Sequence, residues 1–282
     1  MAITLAEKFS PLVDERFAAE SKSSIVTNKD YDFIGSKSIK IYSVGTADMN
    51  NYGRNTAIGT GEGQVISRYG VIEDLSADVQ EVTMEKDRSF TFTIDKMDED
   101  ETLGALNAGS ALARQIREKV MPEVDTYTYA KMAAKAGKTT DATAITKENA
   151  YEEIVKGNEY LDDHMVSFEG RVLVCTPAFY AALKQDSNAV LETEMGQDMR
   201  IKGVIANMDG VAIQKVPSRF LPEKQNFILA HPVATTQAIK LAEYKVNTNP
   251  QGVSGTLVEG RVYYTAFVRD NKKDAIYSSI HA

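Results

Sequence analysis

Tryptophan is absent from this 282-residue sequence, cysteine occurs once and histidine three times. A single cysteine, Cys175, excludes an intrachain disulfide framework and any multi-cysteine zinc or iron–sulfur centre within one chain. The histidines, His164, His231 and His281, form no His-Glu-x-x-His pattern and no close pair. No run of 18 apolar residues occurs, so no membrane-spanning helix and no membrane partner are expected. Between Met1 and Phe17, Leu5, Phe9, Leu12, Val13 and Phe17 fall near helical spacing, but charged residues and Pro11 interrupt them. The continuous apolar centre of a signal peptide is missing, so a reducing cytoplasm is the expected setting. Positive charge is in deficit too: 32 Lys and Arg against 40 Asp and Glu leave a formal charge of −8. That sign is opposite to the basic footprint of a protein that coats DNA.

What is present is ordinary globular material, 43% hydrophobic and 26% charged, with length enough for one or two domains around a buried core. Residues 1–35 read as an arm without a core of its own, ending in the polar stretch Ala19 to Asp32. Ser38 to Val44 alternates apolar and polar and predicts a strand. Residues 45–80 are punctuated by Gly45, Gly53, Gly59, Gly61, Gly63 and Gly70, with Asn50, Asn51 and Asn55 among them. So long a connection is expected to be functional, and its short apolar pieces suggest a twisted hairpin reaching away from the body. Alternation returns from Val79 to Ile94, with Phe90, Phe92 and Ile94 on one face.

The clearest helix follows. Asp98 and Glu101 suggest a capping box, and Leu103, Leu106, Leu112, Ile116 and Val120 keep a helical stripe. Pro122 is expected to kink the helix rather than end it. From Asp98 to Ala136 the spine would be about 50–60 Å long at 1.5 Å per residue, with Gly137 as C-cap. Residues 138–145 read as a linker. Thr146 is expected to cap a helix with Tyr151, Ile154, Val155 and Leu161 on one side. Then come a strand over Arg171–Cys175 and a helix at Ala178–Lys184 opened by Thr176-Pro177. Short strands at 204–206 and 211–213 flank the turn Met208-Asp209-Gly210. The chain closes with strands at Gln237–Val246, Val262–Val268 and Ala275–Tyr277, a charged turn at Arg269–Asp274 preceding the last. The class is α+β.

Chemistry is scarce. Cys175 ends the apolar run Arg171–Cys175 and reads as a small buried hydrophobe; no motif supplies the base a nucleophilic thiol needs. Gly59-Thr60-Gly61-Glu62-Gly63 has neither the dinucleotide nor the P-loop spacing, and a glutamate within it would repel phosphate. Asp95, Asp98, Glu99, Asp100 and Glu101 do not place the glycine and glutamate of a calcium loop, so helix capping explains them. Gly-x-Ser-x-Gly is absent. The 13 tyrosines are scattered among strands with no basic stripe beside them, which suits packing rather than base stacking. No catalytic residue, cofactor or metal is expected. The reading of another class is a cytoplasmic enzyme with its site in 141–235; a pocket joining His164, Cys175 and an acid would be its mark.

The order of parts resembles the major capsid protein of tailed bacteriophages, the Hong Kong 97-like fold. The resemblance covers nearly the whole chain. It is carried by Asp87–Asp95 (Asp-Arg-Ser-Phe-Thr-Phe-Thr-Ile-Asp) leading into the long helix, by Ala111–Glu118 within it, by Val211–Phe220, and by the ending Leu257–Tyr264 through Ala275–Tyr277. It implies an N-terminal arm at 1–44 and an extended loop hairpin at 45–80. It further implies a discontinuous peripheral domain at 81–140 and 236–282 with the spine helix, and an axial α/β domain at 141–235. The implied function is structural: pentamers and hexamers assembling into an icosahedral shell around double-stranded DNA, without sequence-specific binding, in the host cytoplasm and then in the virion capsid. A separate scaffolding protein and a portal are the implied partners, because no cleavable scaffold domain precedes the arm. Covalent joining through a loop lysine, known in the family, is not expected, since no lysine lies between Lys40 and Lys86. Tyr52, Arg54, Asn55, Glu62 and Arg68 are the residues expected at subunit interfaces. Encapsulin nanocompartments share the fold and are the alternative.

Overall fold

Alternation at Ser38–Val44 (β1) and Ala77–Thr83 (β2) produces an antiparallel ladder running from Ser38 opposite Thr83 to Val44 opposite Ala77. Lys40 stands opposite Glu81 and Ile39 opposite Val82, so each face has matched cross-strand neighbours. In the computed structural model the described residues are 22–281 without 32, 34, 35, 57, 60–66, 71, 73, 76, 102–107, 141–143 and 187–206. Two compact units are present: residues 38–83 make one, the rest the other. The alternation expected from Val79 to Ile94 is therefore two strands. It breaks at Met84, which is buried and donates its backbone N–H to Lys37 O at 2.9 Å.

The larger unit opens with Lys86–Asp95 (β3), which pairs with Gly255–Val268 (β10), itself paired with Thr235–Thr248 (β9). The inner face of this three-stranded sheet holds Tyr244, Val258, Val262 and Tyr264 against Leu112, Ile116, Met121 and Val124 of the spine. Gly260 lies opposite both Phe90 and Tyr244; a Cβ there would come within 2.4 Å of the Phe90 ring. Only glycine lets the two rings close over the middle strand.

The helix α1 runs Lys96–Glu101. Its cap is Asp95 at the end of β3, whose Oδ1 accepts the Met97 N–H at 2.8 Å, rather than the box expected from Asp98. Leu103 and Leu106 of the expected stripe lie outside the described residues, and beyond them the spine comprises α2, Ala108–Gln115, a π turn at Ile116–Val120, and α3, Met121–Ala134. Met121 N–H bonds to Ile116 O, five residues back. That wider turn precedes Pro122, whose ring crowds the carbonyl four residues back and which donates no N–H; helix continues through it as expected. The helix stops two residues before Ala136, and Gly137 instead donates to Lys273 O and Ile276 O.

Six strands form the second sheet of this unit, in the order β4 (Lys138–Thr140), β11 (Ile276–Ile280), β8 (Gln225–Ala230), β5 (Val172–Cys175), β7 (Val211–Lys215) and β6 (Asn207–Met208). The expected linker at 138–145 thus begins with a strand. Every residue of β5 is buried because both faces are covered. Val172 and Val174 meet Tyr129 and Met132 of α3. Leu173 and Cys175 meet Ile154 and Leu161 of α4 (Ala150–Asp163) and Phe179 and Leu183 of α5 (Pro177–Gln185). Thr176 caps α5 as expected, accepting the Phe179 N–H. Thr146 does not cap α4: its hydroxyl accepts the Glu148 N–H, and the helix starts at Ala150. There the buried carboxylate of Asp186 accepts the Tyr151 N–H at 3.0 Å. Asp209 and Gly210 both have positive φ, 50° and 73°, the signature of the two-residue turn joining β6 and β7. The strand expected at 204–206 lies outside the described residues.

Residues 22–28 lie against the larger unit's own α3 and β9. Asp125, 2% exposed, accepts Lys22 N–H at 2.9 Å, Ser23 N–H at 3.2 Å and the Ser23 hydroxyl at 2.8 Å. Gln237 Nε2 donates to Ser23 Oγ and Thr128 Oγ1. Asn28 N–H donates to Thr235 O and Asn28 O accepts from Gln237 N–H, a one-residue parallel bridge.

Candidate subunit interface

Nine of the fourteen large hydrophobic side chains exposed among the described residues belong to the 38–83 unit. They include Tyr42, Met49, Tyr52, Tyr69, Ile72 and Leu75; Met49 is fully exposed and Tyr69 is 79% exposed. So many large apolar side chains left exposed in one small unit make it the candidate interaction surface.

Its loop is internally braced. Gly53 N–H donates to Arg68 O at 2.9 Å, and Arg68 Nε donates to Thr56 O at 3.1 Å. The Tyr52 and Tyr69 rings meet edge to face at 5.1 Å. Gly70 has φ of 102° and takes the chain past the Asn50 side chain, where a Cβ would sit 2.5 Å from it. Of the residues expected at an interface, Tyr52 and Arg68 are thus brought together by the Gly53 bond, with Arg54 and Asn55 exposed on the turn between. Glu62 lies outside the described residues.

The larger unit offers a second surface. Tyr127 is flanked by Lys86 and Lys131, with ammonium groups 5.5 and 5.4 Å from its ring centre. Its hydroxyl donates to Glu85 Oε2 at 2.8 Å, and Lys131 Nζ donates to Glu85 Oε1 at 2.9 Å. The Lys131 hydrogen bond is the main cause holding the Glu85 carboxyl below its usual range. Burial, and then the Glu85 hydrogen bond, push the Tyr127 phenol up. Tyr264 packs edge to face on Tyr127 at 5.6 Å and donates to Glu123, which also accepts from Arg88 at 2.7 Å. These rings and paired charges stand beside the π turn. No motif announces them; Tyr127 stands at the edge of the core, packed on the buried Tyr264 from 137 residues away in sequence.

The residues considered for catalysis do not converge. Cys175 is buried in the sheet core, and burial pushes its thiol up to about 12. His164 and His231 line a cavity of about 340 Å³ with Ser167, Lys272 and Asp274, and Cys175 is not among its lining residues. His281 lines a different cavity, beside Lys224 and Asn226. His231 is committed by hydrogen bonds: Nδ1 accepts the Val233 N–H at 3.1 Å, and Nε2 donates to Glu169 O at 3.0 Å. Among the described residues no group of three or more His, Cys, Asp or Glu could hold a metal ion.

The model of a family described as phage capsid protein matches residues 78–278. Among solved structures, a chain of Mycobacterium phage Che8 superimposes with a TM-score of 0.73 at 15% identity, covering 92% of this chain and 90% of that one. The capsid structure of cyanophage P-SCSP1u gives 0.70 at 15% identity, covering 92% and 86%. A virus-like particle from Pyrococcus furiosus gives 0.58 at 10% identity, covering 98% and 100%. A comparison with curated proteins finds no match. At these identities the structures speak for the fold: a chain of α+β class with the same architecture as the shell subunits of phage capsids.

Proposed function

This chain belongs to the phage capsid protein family, and from that premise we propose that its copies assemble as pentamers and hexamers into an icosahedral shell around double-stranded DNA. A major capsid protein is structural and has its place in the virion. The observation that carries the finer reading is the 38–83 unit: braced within itself, yet exposing Tyr42, Met49, Tyr52, Tyr69, Ile72 and Leu75. Such a surface is stabilised when a neighbouring copy covers it, at about 25 cal/mol per Å² of apolar area buried. Head-to-tail contacts of this kind close into rings when the rotation allows.

We draw the extended loop as 38–83, since β1 pairs with β2; residues before it form the arm. The spine and three-stranded sheet form the peripheral domain. The axial domain centres on 141–235, its sheet drawing also on β4 and β11. Tyr52, Arg54, Asn55 and Arg68 are proposed to meet the peripheral domain of a neighbour, with Glu62 from the same loop. Copies are held without covalent links, assembly takes place in the host cytoplasm, and a scaffolding protein and portal take part. The formal charge of −8 supports packaging of DNA without adhesion to the wall.

Light scattering on the eluted protein tests the assembly. Wild type is expected in particles of many copies, and Tyr69→Asp with Leu75→Asp is expected to shift it to small species. A double variant that assembles as wild type does would remove the hairpin from the interface.

A further inference from the structure

Four of the six strands in the larger unit's second sheet run the same way. β4 is parallel to β11 and β5 is parallel to β7, while β8 lies between β11 and β5, antiparallel to both. In an open sheet with parallel strands, ligands bind in the crevice outside the carboxyl ends, where the chain leaves each strand. A cavity of about 730 Å³ opens at that edge. Each parallel strand sends the residues that follow it into the lining: Ile145 after β4, His281 after β11, Thr176 after β5 and Arg219 after β7. Lys224 and Asn226 enter from the opposite direction, at the start of β8. His281 N–H donates to Lys224 O at 2.7 Å, which ties two sides of the cavity together.

The rim carries mostly one sign of charge. Arg219, Lys224 and His281 are exposed, and none of them is in an ion pair among the described residues. The Arg219 guanidinium rests over the Phe220 ring, 5.4 Å from its centre. Glu223 is the one carboxylate among the described lining residues, so positive charge is in excess. Ile145 and Pro222 are half-buried and Ala178 is exposed, which leaves apolar wall open. The buried polar groups are spent within the fold. Thr176 Oγ1 donates to Asn226 O at 3.2 Å, and Asn226 Nδ2 donates to Ser279 Oγ at 3.4 Å.

We propose that this cavity binds a small phosphate monoester carrying an apolar group. Arg219, Lys224 and His281 supply one donor group each for the three terminal oxygens of such an ester, and the excess positive charge offsets its negative one. A carboxylate offers only two oxygens and a single charge. The apolar group lies on Ile145, Ala178 and Pro222, in the manner of pockets that join apolar walls to a few placed polar groups. The site goes beyond the shell reading and uses none of the groups of the 38–83 unit.

Equilibrium dialysis of the expressed protein with phenyl phosphate tests the site, with phenol, inorganic phosphate and benzoate for comparison. Phenyl phosphate is expected to bind at a single saturable site per chain with a Kd of about 0.1–1 mM. Each of the other three is expected to bind about tenfold more weakly or worse, because it lacks the phosphate, the apolar group or the third oxygen. Arg219→Ala with Lys224→Ala is expected to weaken phenyl phosphate binding about tenfold or more, and Glu223→Gln to tighten it about threefold. These residues are exposed, and circular dichroism checks that the variants fold. No saturation by about 10 mM phenyl phosphate would overturn the site. So would equal affinity for phenol or benzoate, or unchanged affinity in the double variant. Light scattering on the same samples reads assembly separately, so failure of the site leaves the shell reading intact.

Discussion

Replacing Asp125 by alanine removes the acceptor for three hydrogen bonds from Lys22 and Ser23. Bonds to a carboxylate are worth about 1.5–3 kcal/mol each, but two here share one oxygen, and the segment can peel into water and rehydrate its donors. The expected loss is about 2–4 kcal/mol, confined to the docking of residues 22–28 on α3 and β9. The perturbation is local, so hydrogen exchange is the assay. The Asn28 and Gln237 amides, bonded to Thr235 O and Asn28 O, should exchange about thirty- to several-hundred-fold faster, at 1.4 kcal/mol per factor of ten. Strand β5, buried on both faces, should keep its protection. Gln237→Ala should add less to Asp125→Ala than it costs alone, because both act through Ser23. Exchange at Asn28 and Gln237 within threefold of wild type would refute the reasoning: Asp125 would then be a buried acid that fastens nothing.

Arg171, with no exposed side-chain surface, donates to Asn158 Oδ1, Asp162 Oδ1, Val166 O and Ser167 O. Arg171→Met should cost about 3 kcal/mol in urea denaturation, the low end for a broken buried pair because Asp162 can hydrate; a loss under 1 kcal/mol would contradict it. Gly260→Ala should cost about 1–3 kcal/mol by forcing Phe90 and Tyr244 apart, measured the same way; a neutral result would show that the rings yield freely. His231 is held below its ordinary pKa, first by burial and then by the nearby Arg171 and Lys272 charges, against the Glu169 carbonyl bond. The unfolded chain therefore binds a proton more readily than the folded one. The stabilising contribution is whole above about pH 6.5 and falls as pH drops below it. His231→Gln should flatten that part of the stability profile, and an unchanged slope would contradict it.

Local chemistry was legible in the sequence, and long-range chemistry was not. Thr176-Pro177 opens a helix and Asp209-Gly210 makes a hairpin turn because neighbours in sequence decide both. The apolar run of β5 foretold a strand with Cys175 buried in it; that helices cover both its faces came only from the structure. The spine was readable from its stripe, but the π turn before Pro122 was not, since no residue type specifies it. The cap of α1 moved from Asp98 to Asp95 because the preceding strand already delivers a carboxylate to the first turn. At α4, Asp186, 35 residues away, bonds the Tyr151 N–H. The candidate surface was half readable. Glycine spacing marked the loop, whereas the Gly53–Arg68 brace and the Tyr127–Tyr264 pair depend on contacts that spacing does not encode.

Negative-stain electron microscopy of the expressed chain, alone and with the products of its neighbouring genes, tests the central claim most directly. Closed shells, or rings of five and six copies, are the predicted result. A 31.0 kDa monomer under every condition would contradict it.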